Sequence, residues 1–149
     1  MLSSGGDESM ITIEFTVEGA PVPKGRARVT TRGGFARAYT PAKTREYEDV
    51  VKSAGKEAMN GREPLESPLK LFLLFFMPIP KSASKKAKAE MLSGMMKHTK
   101  KPDLSNMLKS VEDALNEVCY KDDSQIISVS MRKYYSDTPR VTISIREEF

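Results

Sequence analysis

The sequence contains very few of the residues on which several common kinds of site depend. Among its 149 residues there is one cysteine, Cys119, one histidine, His98, and no tryptophan. A single cysteine excludes an internal disulfide and any zinc site built on several cysteines, and it fits a reducing cytoplasm. A single histidine cannot build a histidine-rich metal site, which leaves it as a general base or as a loop side chain near phosphate.

Long apolar runs and glycine-rich phosphate loops are also missing. The longest apolar run, residues 71–77, is far too short to span a bilayer, so we expect no membrane association. Neither GxxxxGK(S/T) nor GxGxxG occurs, so nucleotide hydrolysis and dinucleotide binding have no support. Residues 1–9 lack a signal-peptide pattern. We interpret residues 1–10 as a disordered leader, with Met10 as an alternative start, before one domain over residues 11–149.

Basic residues are concentrated in two stretches, although the net charge is only +4. Between Glu18 and Glu46 there are seven lysines and arginines and no acid, and residues 81–101 carry seven lysines against one acid. Such segregation predicts a polyanionic partner, and arginines interleaved with aromatics suit phosphate contacts. The alternative is an ordinary solvated surface. The first stretch is either a hairpin or a mobile loop.

Hydrophobic periodicity predicts a single α/β (α+β) domain with a mixed sheet. Alternation over residues 11–17 predicts a half-buried strand, and the apolar run over residues 69–77 predicts a central strand covered on both faces. Two alternating strands around residues 127–131 and 141–145 predict a C-terminal hairpin.

Capping signals and apolar stripes predict three helices. The first begins at Thr40 and buries a stripe that includes Val50, and the second begins at a serine, 82 or 84, and buries Met95. The third follows Asp103. The order strand-helix-strand-helix-helix-strand-strand gives a sheet of about four strands packed with about three helices.

The stretch KPDLSNMLKSVEDALNEVCYKDDSQ, residues 101–125, has acids at both ends of the third helix. Asp103 precedes the helix, the pair Asp122-Asp123 follows it, and the next strand is expected to bring Asp123 back toward Asp103. Three polar residues at i, i+3 and i+7 share one helix face: Asn106, Lys109 and Asp113. Carboxylates beside a lysine suit an oxygen-ligand Mg²⁺ site near bound phosphate. The ordinary alternatives are a helix N-cap for Asp103 and a polar turn for the acid pair.

This run resembles the RusA family of Holliday junction resolvases. The matching motifs are the acid before N-x-x-K, then D-A-L, then D-D-x-Q: Asp103, Asn106, Lys109, Asp113 to Leu115, and Asp122 to Gln125. Further matches are PVPKGRAR from Pro21 to Arg28, Tyr39-Thr40-Pro41, and Lys133, so the resemblance runs from about Ile11 to the C-terminus. The chain departs from the family pattern at two positions. Ser105 stands where the pattern has its second acid, and Glu117 or Val118, depending on the alignment, stands where the pattern has a glycine.

The resemblance implies a homodimeric, Mg²⁺-dependent endodeoxyribonuclease, bacterial or phage-encoded as in a prophage, that acts in the cytoplasm in DNA recombination and repair. It would cut branched double-stranded DNA, the four-way junction, symmetrically in two strands to leave ligatable nicks, with Mn²⁺ as a substitute metal.

The resemblance and the local pattern together give the candidate site residues. The catalytic residues would be Asp103, Lys109, Asp122 and Asp123. The metal ligands would be Asp103, Asp122 and Asp123. The DNA-binding residues would be Lys24, Arg26, Arg28, Arg32, Arg37, Lys101 and Lys133. The supporting residues would be Ser105, Asn106 and Asp113.

Two alternatives belong to other classes of function. Ser105 removes one formal negative charge from the site, which favours a junction- or duplex-DNA-binding protein without cleavage. The third alternative is an α/β domain with no role in nucleic-acid binding.

Overall fold

A computed structural model describes residues 10–25, 28–30, 37–39 and 41–149, and for 28–30 and 37–39 it describes the backbone alone. The predicted leader therefore lies outside the described residues, except for Met10. The described elements are six strands and three helices. The strands are β1 (Thr12–Glu18), β2 (Arg28–Thr30), β3 (Arg37–Tyr39), β4 (Leu69–Pro78), β5 (Ile126–Ser136) and β6 (Arg140–Glu147). The helices are α1 (Ala42–Met59), α2 (Lys85–Ser93) and α3 (Leu104–Leu115), and a 3₁₀ turn spans Asp123–Gln125.

The main sheet has four strands in the order β1-β6-β4-β5. β4 pairs with β5 in parallel and with β6 antiparallel, so the sheet is mixed. The predicted α+β domain, with its four main strands and three helices, is confirmed. The short strands β2 and β3 pair antiparallel in the basic stretch, as the hairpin alternative predicted.

The core lies between one face of this sheet and the helices α1 and α3. Alternate residues of β4 point into it and are almost inaccessible to solvent: Leu69, Leu71, Leu73, Phe75 and Met77. Met107, Val111 and Leu115 of α3 lie in the same cluster, because they recur every four residues along one side of the helix. The stripe predicted for the third helix is therefore confirmed.

The predicted C-terminal hairpin is wrong, because β5 and β6 do not pair with each other. β4 lies between them and pairs with both. Since β4 is the most apolar strand, the central position of the sheet buries the most hydrophobic surface when β4 occupies it. The connection over residues 137–139 therefore crosses the width of β4 instead of forming a tight turn.

Among the residues that the structure describes, β4 is covered by helices on one face only, which differs from the prediction that both faces are covered. The second face of β4 carries Phe72, Leu74 and Phe76, and Leu74 is 38% exposed. Within the described residues both packing helices, α1 and α3, lie against the other face. The guanidinium groups of Arg146 and Arg140 lie over the rings of Phe72 and Phe76, at 4.4 and 3.9 Å from the ring centroids.

Two residues predicted to be buried on helices are exposed. Val50 is 52% exposed, because the buried side of α1 follows a four-residue spacing through Tyr47, Val51 and Gly55. Met95 is 78% exposed, because α2 ends at Gly94, whose φ of 85° stops the helix before Met95. No helix within the described ranges is long and apolar enough to cross a membrane.

We expect Gly55→Ala to destabilise the fold, although alanine favours helices. A Cβ at position 55 would lie 2.6 Å from Leu115 Cδ2 and 3.3 Å from Cys119 Sγ, both buried. Overpacking of this kind costs about 1–3 kcal/mol, which exceeds the roughly 1 kcal/mol gained in helix propensity. Urea denaturation measures the change. Ser53→Ala, at an exposed position of α1, is the matched control, and an equal stability for both variants would contradict close packing at Gly55.

Candidate nuclease site

The polar face of α3 carries a chain of ion pairs. Lys109 Nζ lies 3.1 Å from Asp113 Oδ1, and Asp113 Oδ2 lies 3.0 Å from Lys24 Nζ. Lys24 also donates to Glu48 Oε2 of α1 at 2.7 Å. Partial burial lowers the pKa of Lys24, but its bonds to these two carboxylates outweigh that effect and raise it. Lys109 and Asp113, which were predicted to share one face of the helix, are therefore in direct contact.

The segment before the basic stretch is fixed against α1 and α3. The backbone N–H of Lys24 donates to the Asn106 carbonyl at 2.9 Å, and the Ser110 hydroxyl donates to the Val22 carbonyl at 2.7 Å. Gly25 N–H donates to the Thr44 hydroxyl at 3.0 Å. A Cβ on Gly25 would lie 2.9 Å from that hydroxyl, so this close approach requires glycine. The backbone at Lys24 and Gly25 therefore lies beside the polar face of α3.

The acid pair after α3 forms a capped turn. Asp122 accepts a hydrogen bond from the Ser124 N–H at 3.0 Å, and Gln125 Oε1 accepts from the Asp122 N–H at 2.8 Å. The side chain of Ser124, together with its N–H, lowers the pKa of Asp122. The Gln125 amide nitrogen also donates to the carbonyls of Leu65 and Ser67, at 2.9 and 3.0 Å. One glutamine therefore fixes the acid turn to the segment that leads into β4.

Asp123 lies close enough to the polar side of α3 for its charge to act on two side chains there, Lys109 and Glu112. Glu112 was not among the predicted site residues. Burial raises the pKa of Glu112, and the negative charge of Asp123 raises it further, while Lys109 opposes the shift. Asp123 also contributes to the raised pKa of Lys109, after the larger effect of Asp113. The spacing of Glu112 from Ser105 could have identified it as a site residue. Glu112 follows Ser105 by seven residues, which is two helical turns, so both lie on the same side of α3.

Asp103 occupies the N-cap position of α3, but its side chain makes no capping hydrogen bond and is exposed. The loop before it is tied to β5 by Lys133. The ammonium of Lys133 donates to the carbonyls of Lys100 and Pro102, at 2.8 and 3.0 Å. The position of Asp103 therefore depends on a lysine thirty residues later in the chain.

His98 lies next to this lysine. Its ring packs on Tyr135 with centroids 4.7 Å apart, and its Nδ1 is buried without a hydrogen-bond partner. Burial and the charge of Lys133 lower the pKa of His98, so the imidazole is neutral at pH 7. It contacts the strand that holds the Asp103 loop rather than the polar face of α3.

Glu117 has a φ of 65°, in the left-handed region that favours glycine. Of the two positions at which the chain departs from the glycine of the RusA pattern, this conformation identifies Glu117. Its side chain is exposed on the turn after α3. The acid on which the charge of Asp123 acts is Glu112, on α3.

The remaining predicted residues are distributed as follows. Ser105 and Asn106 have exposed side chains on α3, and Lys101 is exposed in the loop before it. Arg26 and Arg32 lie outside the described residues, as do the side chains of Arg28 and Arg37. Within the described ranges, no three His, Cys, Asp or Glu side chains are grouped so that they could hold a metal ion.

The donor set nevertheless fits a hard cation. Mg²⁺ in proteins keeps several waters and binds through one or two carboxylates together with substrate phosphate, so it does not need a cage of three acids. Burial raises the pKa of Glu112 and the charge of Asp123 raises it further, so two carboxylates lie near each other at this surface. A divalent cation held by oxygen ligands would neutralise their charge.

This fold and surface define an α+β domain with a carboxylate site beside a basic segment. The family model for the endodeoxyribonuclease RusA matches residues 18–146, which is most of the chain. The chain therefore belongs to the RusA endodeoxyribonuclease family. It is also 38% identical, over 140 residues, to the uncharacterized protein YqaN of Bacillus subtilis strain 168, a match that covers 93% of this chain and 98% of that protein.

We expect Glu112→Gln to stabilise the protein increasingly as the pH rises. The pKa of Glu112 is raised in the fold, so the fold favours its neutral form, and the favourable effect is lost as the pH rises through the folded-state pKa. Glutamine stays neutral throughout. Urea denaturation from about pH 3.5 to about pH 7.5 should show a growing advantage for the variant. Glu46→Gln, at an exposed position of α1, is the control, and parallel pH profiles for Glu112→Gln and the parent would contradict this assignment.

We expect Lys133→Met to loosen the loop before Asp103. The substitution keeps the aliphatic stem and leaves the Lys100 and Pro102 carbonyls without their donor, which costs about 1–3 kcal/mol. Amide hydrogen exchange at Met107, whose N–H donates to the Asp103 carbonyl at 3.2 Å, should become about tenfold faster or more. Lys121→Met, at an exposed lysine, is the control. Unchanged exchange in Lys133→Met would show that the loop is held by other contacts.

Proposed function

We propose that the protein is a Mg²⁺-dependent, structure-selective endodeoxyribonuclease that resolves four-way DNA junctions by paired, symmetric phosphodiester hydrolysis. The observation that supports this most is that the acid turn after α3 folds back onto the polar face of α3, where the charge of Asp123 acts on Lys109 and Glu112. A carboxylate site beside a lysine and a basic segment has the charges that phosphodiester hydrolysis needs. Membership of the RusA family supports the same reaction class.

The proposed metal ligands are Asp103, Asp122 and Asp123, with Mn²⁺ able to replace Mg²⁺. When bound, the cation would supply an activated water and stabilise the charge that develops on the phosphate oxygens. The hydrogen bonds of Asp122 to its own turn suit a supporting position, whereas Asp103 and Asp123 have carboxylates free of capping bonds. Ser105 lacks the carboxylate that the family pattern has at its position, and Glu112 contributes a carboxylate to the same surface.

Lys109 is the proposed electrostatic catalyst. Its ammonium is exposed at the site and held in place by Asp113, so it is positioned to stabilise negative charge on the reacting phosphate. Hydrolysis joins a water oxygen to phosphorus and releases the 3′ oxygen, which leaves a nick that a ligase can close. Asn106, Ser105 and Asp113 would support these groups.

DNA would bind along the basic segments on either side of the acid surface. The proposed phosphate contacts are Lys24, Arg26, Arg28, Arg32, Arg37, Lys101 and Lys133. In the structure the ammonium groups of Lys24 and Lys133 already have protein partners, so the arginines and Lys101 would supply most of the affinity. Phosphate contacts carry no base information, so binding would depend steeply on salt and little on sequence.

Paired incision requires two sites, so the active form would be a homodimer. The expected setting is recombination and repair in the cytoplasm of a bacterium, with the protein encoded by the host or by a prophage. The second candidate function is junction or duplex binding without cleavage, and Ser105 is the observation that favours it, because a serine hydroxyl is a weaker metal ligand than a carboxylate.

A cleavage assay on a labelled four-way junction separates these functions. The protein is incubated with the junction and with a matched linear duplex at several concentrations of Mg²⁺ and Mn²⁺. Symmetric, ligatable nicks in the junction are expected. Salt-sensitive binding without nicks at any metal concentration would establish the second function, and no binding at all would overturn both.

We expect Asp123→Asn to reduce the rate of junction cleavage about 100-fold or more, the scale on which a single electrostatic group acts at a reacting centre. Binding should be unchanged or tighter, because the variant removes a carboxylate that repels phosphate. Cleavage and gel-shift assays measure the two effects. Asp49→Asn makes the same charge change at an exposed position of α1, and cleavage that survives in Asp123→Asn would contradict the role of Asp123.

A further inference from the structure

Lys24 connects the two helices that flank the polar surface. Its ammonium lies 2.7 Å from Glu48 Oε2 of α1 and 3.0 Å from Asp113 Oδ2 of α3. The three side chains are shielded from solvent, with exposed fractions of 24% for Lys24, 18% for Glu48 and 27% for Asp113. Salt screens partly buried ion pairs much less than exposed ones. Two carboxylates from different helices therefore share one ammonium that solvent reaches only in part.

The carboxylate of Asp113 divides its two oxygens between two lysines. Oδ2 pairs with Lys24, and Oδ1 lies 3.1 Å from the ammonium of Lys109. Turning the carboxylate so that both oxygens meet Lys109 would break its pair with Lys24. An ammonium has three N–H donors, so a single contact with Asp113 leaves the others for a phosphate. Lys109 is thus anchored and still exposed at the surface.

The backbone of Lys24 is also fixed along α3. Its N–H donates to the Asn106 carbonyl at 2.9 Å, and its ammonium reaches Asp113. Asn106 lies about one helical turn before Lys109, and Asp113 lies about one turn after it. The main chain and the side chain of Lys24 therefore contact α3 on either side of Lys109.

We propose that Lys24 and Glu48 are positioning residues for Lys109. Glu48 holds the Lys24 ammonium against Oδ2 of Asp113, and Asp113 then presents Oδ1 alone to Lys109. The role deepens the proposed function and rests on it, because Lys109 is the group that would stabilise charge on the reacting phosphate. Neither Lys24 nor Glu48 needs to touch the substrate.

A phosphate contact through Lys24 fits this geometry less well. To reach a phosphate, the ammonium would leave Glu48 and Asp113, and those two carboxylates would then face each other without the cation. Like charges that share a partly buried site repel each other strongly. Burial lowers the pKa of Lys24, yet its bonds to the two acids raise that pKa overall, so the lysine stays charged between them.

Lys24→Met tests this role, since methionine keeps the length of the side chain and removes the ammonium. The rate of single-turnover junction cleavage, with protein in saturating excess, should fall about tenfold or more, because a small misplacement of a catalytic group is costly. Junction binding, measured by gel shift without divalent metal, should change far less. Lys52→Met, at an exposed lysine of α1, is the control. An unchanged saturated rate overturns the proposal, and weaker binding with a flatter salt dependence would then assign Lys24 to phosphate.

Glu48→Gln separates positioning from simple charge. The substitution removes a negative charge near the DNA surface, so charge alone predicts tighter binding and an unchanged saturated rate. The positioning role predicts a saturated rate about threefold lower or more, because a neutral amide holds an ammonium less firmly and Lys24 then shifts toward Asp113. Glu57→Gln, at an exposed position of α1, is the control. A saturated rate equal to that of the parent protein rejects the role of Glu48.

The effects of the two substitutions should not add. If Glu48 acts only through Lys24, a protein with both Lys24→Met and Glu48→Gln should cleave at the rate of Lys24→Met alone. Losses that multiply would mean independent effects and would overturn the linkage. Circular dichroism checks that each variant folds.

A measurement without DNA distinguishes failure of this proposal from failure of the proposed function. NMR of the lysine side chains gives the pKa of Lys109, which the hydrogen bond and the charge of Asp113 raise. Lys24→Met removes the second cation on Asp113, so the pKa of Lys109 should rise further, whereas Lys52→Met should leave it unchanged. An unchanged pKa in Lys24→Met contradicts the linkage. A parent protein that cuts no junction, in which Lys24→Met nevertheless shows this rise, refutes the proposed function and leaves the linkage standing.

Discussion

The burial of β4 is the constraint on which the rest of the structure depends. This strand has apolar residues on both faces, so it occupies the centre of the sheet and keeps β5 and β6 apart. One face receives α1 and α3, and the position of α3 over the sheet determines where its polar side lies. Among the described residues, nothing packs over the centre of the other face of the same strand, where Leu74 is exposed. One apolar segment therefore accounts for the core and for the exposed surface opposite it.

The acid surface depends on polar contacts between parts of the chain that are distant in sequence. Gln125 fixes the acid turn to the backbone at residues 65 and 67, and Lys133 fixes the loop before Asp103. Both side chains donate to backbone carbonyls, which accept hydrogen bonds whatever side chain the residue carries. The carboxylates of Asp103 and of the acid turn, which the proposed function places at the site, are thus held by the rigid sheet. Lys133, predicted to bind phosphate, is therefore also a structural part of the site.

Sequence reasoning succeeded where the decisive interactions are local. The apolar stripe of α3 and the serine cap of α2 follow from spacing and capping chemistry, and the structure confirms them. It failed where distant contacts decide the outcome. The exposure of Val50 depends on which side of α1 meets α3, and the separation of β5 from β6 depends on competition for the centre of the sheet. Glu112 became part of the site because the turn with Asp123 folds back against α3.

The sequence by itself determined the reaction class to expect, because the motifs around Asp103, Lys109 and Asp122-Asp123 lie in one continuous stretch. It also determined the fold class, since period-2 and period-3.6 patterns need no tertiary information. Only the tertiary structure decided which charges meet. Lys24 pairs with Asp113 across 89 positions, and Asp123 acts on Glu112 rather than forming a three-acid group with the other aspartates. Pair distances of this kind depend on how helices and strands pack, and a one-dimensional pattern does not contain that information.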